Sequence, residues 1–322
     1  MRYVEAAGAR LSVIGLGTWQ FGSVEWGYGS GYADEEAGKI TQRALDLGIN
    51  LIDTAEIYGF GRSERIVGAA IAGRRDEAFV ATKVFPVMPT AAVVRQRGRR
   101  SAARLGVEVI DLYQVHWPNP VVPLTTTMTG MRALQDEGVV RHVGVSNFSA
   151  DRWIAAEREL GGPVLSNQVE YSLVARKPER GIVPHAGAND RVVIAYSPLA
   201  QGFLSARYDA GNRPGGMRAA RPLFLPENLD RGAELLTALR EVAAAHGATP
   251  AQVALAWVIR RPNVVAIPGA SSVGQLEANA AAADLQLTDE EDARLTEASD
   301  RFRPLTGPVA VAKGLRERFA RR

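Results

Sequence analysis

Several side chains able to hold or move a proton stand near the ends of consecutive apolar runs. The run 49–52 breaks at a carboxylate, Asp53, and opens into a short loop in which one phenol, Tyr58, precedes Gly59 and Gly61. The run 79–84 carries Lys83, and the run 109–115 ends in His116. Adjacent strands of a parallel barrel lie about 4.8 Å apart, so three neighbouring strand ends pointing inward would gather these groups within roughly 10 Å. Lys83 resists a packing explanation best. The chain has only four lysines (Lys39, Lys83, Lys177, Lys313), and this one sits inside an apolar run. A buried ammonium requires a partner, and Asp53 on the next strand is the obvious one. A positive charge beside a phenol favours the phenolate, so Lys83 is expected to lower the pKa of Tyr58. Tyr58 could then give a proton to a carbonyl oxygen and take it back in the reverse direction, while neutral His116 hydrogen-bonds and orients the same oxygen.

Such a constellation needs strands that end on one rim. Strands are expected over 11–17, 49–53, 79–84, 109–116, 140–146, 164–169, 192–196 and 264–267, with a small hairpin at 1–8 leading into the first. Helices are expected between them, over 34–47 with Asp34 as cap, 63–72 with Ser63 as cap, 90–105, 124–137, 150–159 and weakly at 178–187. An irregular insertion at 201–226 precedes helices at 229–246, 250–260 and 273–282, and one more at 289–298 has Thr288 as cap. The strands are short and continuously apolar, as when both faces are buried. Eight parallel strand–helix units close into a (β/α)8 TIM barrel rather than an open sheet, and no repeat or linker divides it, so residues 1–322 read as a single domain.

Composition is compatible with that. At 46% hydrophobic and 23% charged, with a formal charge of +3, the chain is an ordinary globular one with no reason to bind nucleic acid. The basic stretches 95–104 and 316–322 read as a solvated helix face and a frayed terminus. Without cysteine there is neither disulfide nor thiol chemistry. No apolar run approaches membrane-spanning length and the first residues lack a signal-peptide core, so the expectation is cytoplasmic with no membrane partner. His142, His185 and His246 show no ligand spacing, and no metal is expected. The oligomeric state is not legible.

Eight stretches, in order, carry a resemblance: Gly15-Leu-Gly-Thr-Trp19, Asp53-Thr-Ala-Glu-Ile-Tyr-Gly59, Ala81-Thr-Lys-Val84, Val115-His-Trp-Pro118, Gly144-Val-Ser-Asn-Phe148, Asn167-Gln-Val-Glu-Tyr171, Ala195-Tyr-Ser-Pro-Leu-Ala-Gln-Gly202 and Ile267-Pro-Gly-Ala-Ser-Ser272. Over nearly its whole length the chain resembles the aldo-keto reductase superfamily, in particular its bacterial-type members and the branch of the potassium-channel beta subunits. The resemblance implies NADPH-dependent reduction of a small-molecule carbonyl. It makes Tyr58 the catalytic acid, tuned by Lys83 and Asp53, with His116 positioning the substrate oxygen. A variant of the family that reduces carbon–carbon double bonds has Glu where this chain has His116. Neither Glu56 nor Glu170, also near the rim, receives a catalytic role.

The family binds its nicotinamide cofactor without a Rossmann domain, and the Gly-rich segments 27–31 and 59–61 lack the dinucleotide fingerprint. By resemblance, Gly17, Thr18, Trp19 and Asp53 stand at the cofactor, Ser146, Asn147 and Gln168 hold the carboxamide, and Tyr196 stacks on the nicotinamide. Ser197, Pro198, Leu199 and Gly202 line the pyrophosphate, and Gly269, Ser271, Gln275 and Asn279 hold the adenosine end. Relatives that grip the 2′-phosphate with Lys and Arg have them where this chain has Gly269 and Gln275, so NADPH is expected over NADH by a modest margin, helped by Arg207 or Arg218. An alternative role is a nucleotide-binding regulatory or redox-sensing subunit, but a start almost directly at the barrel offers no docking extension. A short-chain dehydrogenase does not fit, since Tyr58 and Lys83 are not one helical turn apart. Trp26, Tyr28, Phe85 and Trp117 would form an apolar mouth, its shape set by loops 22–32 and 201–226 and the tail after 301.

Overall fold

The computed structural model describes residues 1–22 and 31–320. Trp26, Tyr28 and most of the Gly-rich segment 27–31 lie outside the described residues.

A hairpin of β1 (Tyr3–Ala6) and β2 (Ala9–Ser12) comes first. Eight parallel strands follow: β3 (Leu16–Gly17), β4 (Leu51–Asp53), β5 (Phe79–Val84), β6 (Ile110–Val115), β7 (Val140–Ser146), β8 (Val164–Glu170), β9 (Val192–Tyr196) and β10 (Val264–Ala266), each paired with the next. The barrel closes where Ala266 accepts from the Gly15 amide (2.8 Å) and donates to the Val13 carbonyl (2.8 Å). The expected first strand, 11–17, divides: Leu11 and Ser12 pair within the hairpin, Ile14 bridges Ala266 of β10, and Leu16 and Gly17 pair with β4. The reason is packing, because Ala6, Ala9 and Leu11 of the hairpin plug the barrel floor against Leu51, Phe79, Leu112, Val192 and Val265.

The floor sets the parity of the site. Side chains alternate along a strand, so the inward set that begins with Leu51 continues to Asp53. Phe79 and Ala81 lead to Lys83, Leu112 leads to Gln114, and Val192 and Ile194 lead to Tyr196. Apolar inner layers thus give way to polar ones toward the strand C-termini, the end at which barrel enzymes place their chemistry.

The outer ring comprises α1 (Gly31–Asp46), α2 (Arg62–Ile71), α3 (Ala91–Leu105), α4 (Leu124–Asp136), α5 (Ala150–Leu160), α6 (Ile182–Ala188), α7 (Pro226–Arg231), α8 (Ala233–Ala245), α9 (Pro250–Ile259) and α10 (Val273–Ala281), followed by α11 (Asp289–Arg301) and α12 (Gly307–Ala320). Thr288 caps α11 in a full capping box with Glu291. Two expected caps are not caps. Asp34 lies inside the first turn of α1 and pairs with Arg62 at 2.8 Å, where its charge still complements the helix dipole. Ser63 lies inside α2, whose start is set by Gly61 in the left-handed region (φ 81°). Its buried hydroxyl instead sits 2.8 Å from that of Thr18 and 2.9 Å from that of Thr54, stitching two rim loops.

The basic stretches also differ from expectation. Arg95 and Arg99 reach Glu137 across the outer face of α3, but Arg97 turns inward to the half-buried Glu56 and Arg104 to the buried Glu64. The tail forms α12 rather than fraying, with Ala310 buried and Gly314 pressed against the Ala220 backbone. Insertion 201–226 is a string of 3-10 turns, since positive φ at Ala200, Gln201 and Ala206 prevents a continuous helix. Among the described residues, no single helix is long and apolar enough to cross a membrane.

Candidate active site

Asp53, at the end of β4, is 2% exposed and Lys83, one residue before the end of β5, is wholly buried. The Lys83 ammonium donates to Asp53 Oδ1 (2.6 Å) and to the Thr54 carbonyl (2.9 Å), and it reaches the Tyr58 hydroxyl at 3.4 Å. Tyr58 opens a 3-10 turn, Tyr58–Gly61, in which Gly59 and Phe60 both take positive φ. That kink hangs the phenol over the barrel end. His116 presents its ring edge-on to Tyr58, with centroids 6.0 Å apart, and is itself stacked on Trp117 at 4.0 Å. Phe85 closes the other side of the imidazole, again edge-on at 6.0 Å. The four residues picked out by spacing are therefore brought together.

Their electrostatics differ from the expectation in one respect. Burial pushes the Tyr58 phenol up, and the Lys83 charge recovers only part of that shift while Asp53 adds to it. Desolvation of the phenol outweighs the nearby ammonium. Burial also opposes the charge on Lys83, yet Asp53 and Tyr58 outweigh it and raise its pKa, keeping the amine protonated. His116 goes the other way. Burial and then the Lys83 charge hold it far below the ordinary imidazole range, at about 2, so the ring is neutral.

The second Asp53 oxygen accepts from Gln168 Nε2 (2.7 Å) and, more weakly, from Gln114 Nε2 (3.4 Å). Gln114 is lateral neighbour to Lys83 on one side and Gly144 on the other. A side chain at Gly144 would strike Ser166 Oγ at 2.5 Å and Gln114 Cγ at 2.9 Å, so glycine there makes room for this inner polar layer. Gln114 was not singled out above. Its signal was available, since it stands two residues before His116 on the inward parity.

Glu56 also acquires a position. Its Oε1 accepts from the Phe85 amide (2.6 Å) and from Arg97 (3.1 Å), while Arg97 donates to the Phe85 carbonyl (2.6 Å). The loop that bears Tyr58 is thereby clipped to the residue that follows the Lys83 strand. Glu64, wholly buried, takes Thr82 Oγ1 (2.7 Å) and Arg104 (2.5 Å) one turn further along.

The remaining rim positions form a second wall. Asn147, with φ 62°, donates to the His116 carbonyl (3.1 Å) and accepts from the Tyr196 hydroxyl (3.0 Å). Ser146 donates to the Gln168 carbonyl (2.8 Å). Ser197, Pro198, Leu199 and Gly202 follow β9 in a loop of positive-φ residues, at Ser197, Ala200, Gln201 and Gly202. The carboxamide oxygen of Gln275 accepts from the Ser271 amide and hydroxyl, both at 2.9 Å, and Asn279 reaches the Gly269 carbonyl at 3.4 Å. Gly17 lies against the Ile267 carbonyl, and Trp19 is exposed on the rim. Thr18 is wholly buried, its hydroxyl donating to the Asp53 carbonyl at 2.9 Å. Among the described residues no group of three or more acidic or histidine side chains is placed to hold a metal.

The profile of the Aldo/keto reductase family matches residues 13–300. An uncharacterised oxidoreductase of Mycobacterium tuberculosis (strain ATCC 25618 / H37Rv) is 53% identical over 323 residues, covering 100% of both chains. The chain is also similar to the solved glycerol dehydrogenase of Gluconobacter oxydans, with a TM-score of 0.86 and 31% identity over 95% of this chain and 97% of that one. An aldo/keto reductase of Klebsiella pneumoniae, solved in complex with NADP and acetate, has a TM-score of 0.76 and 33% identity over 92% and 94%.

Proposed function

The chain belongs to the Aldo/keto reductase family, and on that premise we propose that it reduces the carbonyl group of a small molecule with NADPH as cofactor and Tyr58 as the acid. One observation carries the reading: a single ammonium, Lys83, lies between the Asp53 carboxylate at 2.6 Å and the Tyr58 hydroxyl at 3.4 Å.

Residues at the second wall fit a nicotinamide nucleotide. Tyr196 offers a half-buried ring, Asn147 is bonded to the His116 carbonyl, and Ser146 and Gln168, bonded to each other next to Asn147, offer further hydroxyl and amide groups. Gln168 has its nitrogen committed to Asp53, so it meets the carboxamide through its oxygen. Successive positive-φ residues after β9 turn backbone amides to one side, which suits a pyrophosphate, and the N-terminus of α10 suits the phosphate of the adenosine end. NADPH, when bound, supplies the hydride.

The residues of this chain do the rest. With burial raising its pKa further above the ordinary phenol value, Tyr58 is protonated at neutral pH, the form that donates to a carbonyl oxygen. As that proton leaves, negative charge grows on the Tyr58 oxygen, and the Lys83 ammonium is already in place to stabilise it. Asp53 holds the ammonium in register. Neutral His116, which cannot compete as an acid, orients the carbonyl. Tyr58→Phe is expected to lower carbonyl reduction by about 10²–10⁴ while NADPH still quenches tryptophan fluorescence. Turnover near that of the parent would remove Tyr58 from the mechanism.

A further inference from the structure

Glu64 is wholly buried, yet it stands outside the proton-handling set, on the outer side of the barrel wall. Phe79, Ala81 and Lys83 are the inward positions of β5, so Thr82 between them points out toward the helices. There the Thr82 hydroxyl donates to Glu64 Oε1 (2.7 Å), while Oε2 accepts from Arg104 Nε (2.5 Å). Arg104, in the last turn of α3, also donates to Ser101 Oγ (3.0 Å) and comes within 4.0 Å of Glu56 Oε2. Its stem lies against Gly61, where an added Cβ would be 2.6 Å from Arg104 Cδ.

These contacts back the turn that carries the phenol. Tyr58–Gly61 leads without a break into α2, and Glu64 is in the first turn of that helix. Tyr58 and Lys83 are thus connected twice. Inside the barrel, the ammonium and the phenol oxygen are 3.4 Å apart. Outside it, Thr82, the neighbour of Lys83, is bonded to Glu64, which follows the Tyr58 turn. The inner contact is long and a small shift would break it. The outer one is a short bond to a charged acceptor, which is the stronger kind. A carboxylate buried beside its counter-ion seldom adds net stability over apolar packing, because desolvation offsets the attraction. What Glu64 contributes is placement.

Resting on the carbonyl reduction proposed above, we propose that Glu64 is a positioning residue for the proton transfer. With Arg104 as its counter-ion, it sets the separation of Tyr58 and Lys83 by tying the outer face of β5 to the first turn of α2. Glu56 clips the chain before the Tyr58 turn, and Glu64 holds it after.

The test compares Thr82→Val, Arg104→Met and Glu64→Gln with the parent protein. Valine keeps the shape of threonine and deletes the bond to Glu64, and methionine keeps a stem against Gly61 without the charge. Both should lower kcat for an aldehyde by about tenfold or more, since small displacements of a reacting group are costly, with aldehyde KM and NADPH affinity within about twofold of the parent. Glu64→Gln can accept from Arg104 through its oxygen and donate to Thr82 Oγ1 through its nitrogen, so its kcat should stay within about threefold. A second readout needs no turnover. In protein whose tyrosines carry carbon-13 at Cζ, the Tyr58 signal, assigned with Tyr58→Phe, should shift in Thr82→Val and Arg104→Met and stay near the parent position in Glu64→Gln. An unmoved Tyr58 signal in the first two variants, or a loss confined to the melting temperature, overturns the proposal. Absence of aldehyde reduction by the parent would instead overturn the reductase reading, and the Tyr58 signal would then decide the placement alone.

Discussion

Of the side chains at the site, Lys83 has the most to lose by substitution. Lys83→Met strands the Asp53 carboxylate in a dry site and removes the one contribution that offsets the burial of Tyr58. Both effects disfavour the tyrosinate, so the residual rate should fall and the pH limb assigned to Tyr58 should move alkaline. A pH–rate profile of unchanged shape would make Lys83 a structural residue only. His116 supports a prediction about stability. Its folded-state pKa is depressed by burial and by Lys83 to about 2, whereas the unfolded imidazole takes its proton near 6.5. The contribution is therefore complete above about pH 6.5 and lost as pH falls, by up to about 1.4 kcal/mol per pH unit. Urea midpoints should drop between pH 6.5 and 5, and His116→Gln should make that drop shallower. Some slope will persist, because burial holds His142 low as well. Equal slopes in the two proteins would contradict the account.

On the scale of elements, two connections govern the site. The first is the clip between the β4 loop and the end of β5, made by Glu56, Arg97 and both backbone groups of Phe85. Glu56→Ala removes the carboxylate partner of Arg97, leaves the Phe85 amide unsatisfied, and frees the turn that carries Tyr58. We expect kcat to fall by about tenfold or more with little change in NADPH affinity, since small misplacements of a reacting group are costly. Glu56→Gln, whose amide oxygen can still accept from Phe85, should recover part of the rate. A loss confined to the melting temperature would show the clip to be structural alone. The second connection is the β10–α10 turn, where Gly269 and Gln275 are uncharged and Gln275 is occupied in closing the Ser271 turn. Charge-assisted contacts are roughly twice as strong as neutral ones, so NADPH should be preferred over NADH only modestly. Fluorescence titration of the two cofactors checks this, and equal or tighter NADH binding would show that the turn does not read the 2′-phosphate.

At the scale of the whole molecule, the tail is part of the fold. Leu305 exchanges two hydrogen bonds with the buried Asn228 side chain (2.6 and 3.1 Å), Phe302 stacks on Phe203 at 5.5 Å, and Lys313 pairs with Glu227. Gly314 brings α12 so close to the 3-10 turn Gly216–Ala220 that an added Cβ would lie inside the Ala220 carbonyl. Gly314→Leu should push α12 away at a local cost of about 1–3 kcal/mol. Hydrogen exchange in 307–316 should then quicken while barrel strands remain protected, and unchanged protection of α12 would contradict the packing.

Barrel architecture and the gathering of Asp53, Tyr58, Lys83 and His116 at one rim were legible in the chain because both depend on short-range regularities. Short, continuously apolar runs that end in Asp53, Lys83 and His116 place these groups at strand C-termini on one rim, and sharp caps such as Thr288 mark helix starts locally. Other features depended on neighbours distant in sequence. Leu11 joined the hairpin because the barrel floor needed a plug, and Ser63 left its capping role because Thr18 and Thr54 came within reach. The tail became a helix only because the insertion presents it a surface. Likewise, the sign of the shift at Tyr58 rests on a balance between desolvation and a charge 3.4 Å away, and the enclosure that decides that balance is built by residues from several strands at once.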